Sequence, residues 1–143
     1  MAFVKIMVHA VWGTKNRYPF LTKEIRTTVI EHIKSNAKTK DIFIDRLNGH
    51  KEHLHCLLGL NADMSVSKAM QLIKGESAYW INKKKITPSY FEWADEYYAV
   101  SVSESMLDRV RAYIDEQEEH HQKTTFAQEC NEFIKKYKFD IHG

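Results

Sequence analysis

"DIFIDRLNGHKEHLHCLLGL", residues 41–60, decides the fold. Ile42 and Ile44 alternate with Phe43 and Asp45, turn chemistry gathers in "NGHK", and a second β-rich run follows from about Glu52 to Leu60. The segment therefore reads as a hairpin. Side chains alternate along a strand, so His53 and His55 share one face, about 7 Å apart, while Leu54, Cys56 and Leu58 share the other. One face is a core face and the other presents two imidazoles. Neutral imidazoles so placed suit a divalent metal, although two ligands do not make a site, and a pair of surface histidines on a half-exposed strand would give the same pattern.

On the N-terminal side, "FVKIMVHAVW" (residues 3–12) alternates as a strand and the polar turn "GTKNRYP" follows it. Thr22 then caps a helix whose Ile25, Val29, Ile30 and Ile33 follow helical spacing to about Lys38. After the hairpin, "NADMSVSKAMQLIKGESAYWINKKK" (residues 61–85) reads as a second amphipathic helix. Asp63 or Ser65 is its cap, and Val66, Ala69, Met70, Ile73 and Trp80 lie on one face. Gly75 inside it costs about 1 kcal/mol relative to Ala and hints at a close approach to the backbone. The aromatic and β-branched run around "EWADEYYAVSVS" predicts a fourth strand, Trp93 to about Val102. Ser103 and Glu104 open a third helix through about His121, and a terminal helix spans about 124–138 with Phe126, Phe133 and Ile134 as its apolar side. The order β-α-β-β-α-β-α-α is that of an α+β, ferredoxin-like antiparallel sheet with helices on one face, plus a C-terminal helix.

A chain of 143 residues, 43% hydrophobic and 12% aromatic with five Gly and two Pro, is expected to fold as a single domain, 1–143. No run reaches the roughly 18 apolar residues of a membrane span, so a soluble, cytoplasmic protein is expected. Two cysteines, Cys56 and Cys130, form no CxxC pair and give no disulfide framework. The net charge of +2 hides an asymmetry. Residues 1–90 hold 15 Lys and Arg against 7 Asp and Glu, and residues 91–143 hold 6 against 12. The first part has the balance of a surface that meets an anion, or of an ordinary mixed surface.

The second constellation is "RVRAYIDEQEEHH", residues 109–121. At about 100° per residue, Met106, Leu107, Val110 and Ile114 gather on one side of the helix, and Tyr113 and Gln117, one turn apart, fall on that same side. A polar pair on a buried face needs partners, either a metal or substrate, or merely a core edge and a neighbouring backbone group. His121 follows one turn later as an auxiliary group or as a solvated helix-end histidine. Joined to the His pair, a helix oxygen would complete a metal site beside a phenol. A phenol of pKa about 10 is a workable nucleophile toward a phosphorus polarised by a metal. Attack on a phosphodiester would leave a covalent phosphotyrosine that conserves the bond for rejoining.

"EHLHCLLGL" resembles the His-hydrophobic-His motif of the HUH endonucleases. "YIDEQ" resembles the single-tyrosine helix of the small transposases of the insertion-sequence-200 type and their repeat-associated relatives. The similarity extends through "VHAVWGTKNRYPFLT", "MSVSKAMQLIKGESAYW" and "YYAVSVSESMLDRVRAYIDEQEEHH". The resemblance implies a DNA transposase in which Tyr113 is the catalytic nucleophile on single-stranded DNA, and His53, His55 and Gln117 hold a divalent cation, Mg²⁺ or Mn²⁺. It implies a 5′-phosphotyrosine with a free 3′-OH on the other product, recognition of a hairpin at the element's ends, and a homodimer whose tyrosine helix can serve the partner's His pair. Lys15, Asn16, Arg17, Lys68, Lys74, Lys83, Lys84 and Lys85 fit as DNA-binding residues giving affinity without sequence readout. Two rivals keep the fold: a catalytically silent hairpin-binding descendant, and a metal-binding domain with no DNA role.

Overall fold

The alternating runs pair as one antiparallel sheet. In the computed structural model, which describes residues 1–121, 124–137 and 139–140, four strands stand in the order β2-β3-β1-β4. They are β1 (Ile6–Gly13), β2 (Phe43–Gly49), β3 (His53–Leu60) and β4 (Tyr98–Val102), all pairing antiparallel. Between them run α1 (Lys23–Thr39) and α2 (Val66–Lys83). This is the ferredoxin-like order expected from the sequence.

Helices α1 and α2 cover one face, where Val29, Ile33, Ala69, Met70, Ile73 and Ile81 bury against Val8, Ala10, Trp12, Leu54, Cys56 and Leu58. Ser65 is the cap of α2, its hydroxyl accepting from the Lys68 amide. Gly75 does not mark a close approach: a Cβ added there would meet nothing within 4 Å among the described residues.

The fourth strand is shorter than its composition suggests. Trp93 makes only an isolated bridge with Thr14, and Lys74 Nζ takes the carbonyls of Ala94 and Asp95 at 2.7 and 3.1 Å, which removes them from any ladder. The long third helix is also interrupted. A 3-10 turn (Glu104–Met106) leads into α3 (Leu107–Asp115), Glu116 leaves helical geometry at φ −97°, ψ 15°, and a single turn, α4 (Gln117–His120), follows. Asn48 Nδ2 on β2 donates to the Ile114 and Asp115 carbonyls at 3.0 and 3.3 Å, satisfying the end of α3 from outside. The terminal helix, α5 (Phe126–Lys136), starts with a capping box between Thr125 and Gln128. Residue 138, the far end of the expected tail helix, lies outside the described residues.

Helices α3 and α5 lie on the second face of the sheet. Met7 and Leu57 pack with Leu107 and Ile114, and Val11 packs with Phe126 and Cys130. Ile134 is exposed, so the apolar side of α5 is Phe126, Cys130 and Phe133. Gly13 lets α5 approach: a Cβ there would stand 2.9 Å from the Phe126 ring. Both faces of the sheet are covered, and the polar residues of the second face are sealed between two apolar clusters.

Candidate metal and tyrosine site

Strand alternation and register assemble the site. His9 on β1 stands opposite Leu57 and Val11 opposite His55, so His9, His53 and His55 project from the same face. His53 and His55 are 0% exposed and His9 is 5% exposed, which is incompatible with surface histidines on a half-solvated strand. Each of the two β3 imidazoles has a partner on Nδ1: Glu52 Oε1 lies 2.8 Å from His53, and His9 Nε2 lies 2.9 Å from His55. Partners on Nδ1 orient the rings with Nε2 facing inward, as in metal-binding imidazoles. The Phe126 ring stacks on His53 at 4.2 Å between centroids, holding that ring from the α5 side.

The inward nitrogens converge on Glu129 of α5, whose side chain is 1% exposed. Its Oε1 lies 2.8 Å from His55 Nε2, 3.4 Å from His53 Nε2 and 3.4 Å from His121 Nε2. Its Oε2 accepts the Tyr113 hydroxyl hydrogen bond and stands 3.2 Å from His120 Nε2. Gln117, fully buried at the start of α4, has Oε1 3.1 Å from His53 Nε2. Tyr113, His53, His55 and Gln117 are therefore together within one chain. His121 is no solvated helix end: its side chain is 2% exposed, and Nε2 has no hydrogen-bond partner among the described residues.

The donor set fits a cation. One donor atom each from His53, His55, His121 and Glu129 lies within 4.8 Å of the others, three imidazole nitrogens and a carboxylate oxygen with one buried nitrogen left unpaired. The electrostatics agree. Burial pushes the imidazoles down, His55 to about 4 and His9 to about 3. Burial opposes ionisation of Glu129, but the close imidazoles of His121 and His55 hold it well below the ordinary carboxylate value. Burial, then the Glu129 carboxylate, push the Tyr113 hydroxyl well above an ordinary phenol.

Helix α3 is pinned so that Tyr113 faces this cluster. Arg111 donates through Nε and Nη2 to the two oxygens of Asp45 at 2.9 and 2.8 Å, and Asp45 sits where β2 bulges between Ile44 and Arg46. Tyr113 lines a cleft of about 310 Å³ in which the cations Arg109 and Lys136 stand with the carboxylates Glu129 and Glu132.

The basic residues divide. Lys15–Arg17 form a 3-10 turn just beyond β1, with Asn16 and Arg17 left-handed at φ 57° and 55°, and the Arg17 guanidinium lies 5.5 Å from the Phe126 ring centre. Lys15 pairs with Glu92 at 3.1 Å. Helix α2 runs back along β3, so Lys83, Lys84 and Lys85 reach the same end of the sheet as this turn, and Lys68 lies at the other. Lys74 is bound by backbone carbonyls and is not presented to a partner.

Glu129, His9, Glu52, Arg109 and Lys136 are the site residues that the sequence reading did not single out. Glu129 had a signal: Phe126, Glu129, Cys130 and Phe133 follow i, i+3, i+4, i+7, which puts a carboxylate on the apolar face of α5. His9 had none without the β1–β3 register.

Comparison with known proteins finds the same fold. A candidate transposase from Deinococcus radiodurans R1 superposes with a TM-score of 0.64 at 22% identity, over 81% of this chain and 93% of its own. A REP-associated tyrosine transposase, solved bound to a REP hairpin, superposes with a TM-score of 0.65 at 15% identity, over 87% of this chain and 73% of its own. At these identities the likeness is one of fold. No curated protein matches in sequence. Residues 2–117, from before β1 to Gln117, match the family described as "Transposase IS200 like", and the chain belongs to that family.

Proposed function

We propose that this transposase cleaves and rejoins single-stranded DNA through Tyr113. The observation that carries the reading is the meeting, in one buried cluster, of the Tyr113 hydroxyl with inward-facing His53 and His55, in a chain of a transposase family. A divalent cation held at His53 and His55 beside a buried oxygen donor would polarise the scissile phosphate. Tyr113 Oη attacks phosphorus, the bond from phosphorus to the 3′-oxygen breaks, and that oxygen takes up a proton to leave as a free 3′-OH. The 5′-phosphate stays on Tyr113. Glu129 Oε2, the acceptor of its hydrogen bond, orients the hydroxyl, and the phenolic proton leaves to solvent at the cleft. Attack by a 3′-OH on the phosphotyrosine reverses the step, joins the strands and frees Tyr113.

Arg109 and Lys136 at the cleft, with the Lys15–Arg17 turn and Lys83–Lys85 at one end of the sheet, supply phosphate contacts and a salt-dependent affinity. The meeting of the four expected residues within one chain supports a reading in which Tyr113 serves its own His pair. The fold neighbour bound to a hairpin supports a hairpin-bearing strand as substrate.

Incubation with labelled single-stranded hairpin DNA, in Mn²⁺ or EDTA, tests this on a denaturing gel. A labelled band at the protein's mass, lost in Tyr113→Phe and in EDTA, is expected. Cleavage by Tyr113→Phe would refute the nucleophile, and a retarded complex without cleavage would reduce the protein to hairpin binding.

A further inference from the structure

We propose that the cation site is completed by Glu129 and His121, so that α5 is part of the metal centre and the ligand set is three imidazoles and one carboxylate. This rests on the proposed function for a dication at the His pair. It departs from the expectation that Gln117 is the third ligand.

Three observations carry it. Glu129 Oε1 faces the Nε2 atoms of His55, His53 and His121 at 2.8, 3.4 and 3.4 Å. Donors about 2.1 Å from one ion stand about 3 to 3.4 Å apart, the spacing of these Glu129 contacts, and all four donors lie within 4.8 Å of one another. Gln117 Oε1, by contrast, has a single imidazole contact, at 3.1 Å on His53. Second, Glu129 is buried with no Lys or Arg paired to it among the described residues. The groups around it are the imidazoles of His53, His55, His120 and His121. A carboxylate removed from water needs a compensating charge, and a dication at this point provides it. Third, the buried Nε2 of His121 lacks a hydrogen-bond partner among the described residues and is close to the same oxygen. A lone pair directed at a cation satisfies it.

Three nitrogens and one carboxylate form a set for first-row transition dications, and Mg²⁺, which favours an octahedron of oxygens, is disfavoured. The Glu129 carboxylate then has two roles, Oε1 toward the ion and Oε2 toward Tyr113. Metal occupancy and the docking of α5 become one equilibrium. The family match ends at Gln117, so both His121 and Glu129 lie beyond the matched stretch.

The test is titration of the full chain, stripped with EDTA, by Mn²⁺, Co²⁺ and Mg²⁺, followed by calorimetry, with amide hydrogen exchange across residues 126–136. Mn²⁺ and Co²⁺ should bind more tightly than Mg²⁺ and slow exchange in α5. Glu129→Gln and His121→Ala should each weaken Mn²⁺ by at least the roughly 10–100-fold that loss of an outer-shell partner costs. Gln117→Ala should bind as wild type. Wild-type affinity in Glu129→Gln, loss of affinity confined to Gln117→Ala, or unchanged α5 exchange on adding metal would overturn the assignment. The DNA adduct assay separates the two readings. A protein that binds metal through these four residues and forms no adduct refutes the proposed function alone. A Glu129→Gln adduct with unaltered Mn²⁺ dependence refutes the ligand set alone.

Discussion

Truncating Phe126 to Ala should release α5 from the sheet while leaving the rest of the protein folded. Phe126 is 8% exposed, its ring lies flat on His53 and against Gly13, and it packs with Val11 and Cys130. Loss of a buried Phe side chain costs about 3 kcal/mol or more, here charged to the docking of one helix. At about 1.4 kcal/mol per decade, the undocked population rises roughly 100-fold. The two free cysteines report on the two layers separately. Cys130 lies on the buried face of α5, whereas Cys56 lies in the core under α1 and α2. Burial pushes both thiols up, Cys130 to about 11, so each reacts only when its layer opens. Thiol labelling of metal-free protein, resolved by peptide mass, should therefore accelerate about 100-fold at Cys130 in Phe126→Ala and stay slow at Cys56. Equal acceleration at both cysteines would mean that α5 opens only with global unfolding. No acceleration at either would mean that Phe126 does not hold it.

Acid should destabilise the metal-free protein through its buried imidazoles. The unfolded chain takes up protons at His9 and His55 from about pH 6.5 downward and the folded chain does not, so stability falls from about pH 6.5 toward 4. The slope is up to about 1.4 kcal/mol per pH unit per group. Urea unfolding in EDTA at pH 7, 6 and 5 measures it, and a flat profile would sink the argument. Asn48→Ala removes the external donor to the Ile114 and Asp115 carbonyls and should cost about 1 kcal/mol, lowering Tm by about 4 °C, with a drop in adduct formation as Tyr113 loses its fixed helix end. Gly75→Ala, in an open stretch of α2, should raise stability by about 0.5–1 kcal/mol with DNA binding unchanged, and destabilisation would mean that something does approach that backbone.

The parts of the fold legible in the sequence are those fixed by local period. Residues 41–60 and 3–12 alternate, 22–38 and 61–85 follow helical spacing, and with their turns they dictate the order of the sheet and its first two helices. The misplaced boundaries have causes far away in the chain. Trp93 to Tyr97 have the composition of a strand, but Lys74 holds their first carbonyls from α2. The third helix has uninterrupted helical chemistry, but Asn48 from β2 offers the end of α3 a partner that a continued helix would have to replace. Neither donor is adjacent in sequence to what it changes. Composition cannot anticipate such competition for backbone groups, because it is decided by tertiary contact.

The site shows the same division more sharply. His53 and His55 were legible because one strand fixes both on one face, and Tyr113 and Gln117 because one helical turn stacks them. What makes the group a cage, however, is the space between those elements. His9 enters through strand register, Glu52 through the turn, His121 one helical turn beyond Gln117, and Glu129 through the packing of α5 on the sheet. Tyr113, Gln117 and His121 stand four residues apart and share one side, but only α5, lying over the sheet, brings the Glu129 carboxylate to meet them. Helix α5 thus does more than cover a face: it turns a two-histidine strand motif into a buried set of three imidazoles and a carboxylate beside a phenol. A substitution that loosens α5 should therefore cost metal affinity before it costs fold.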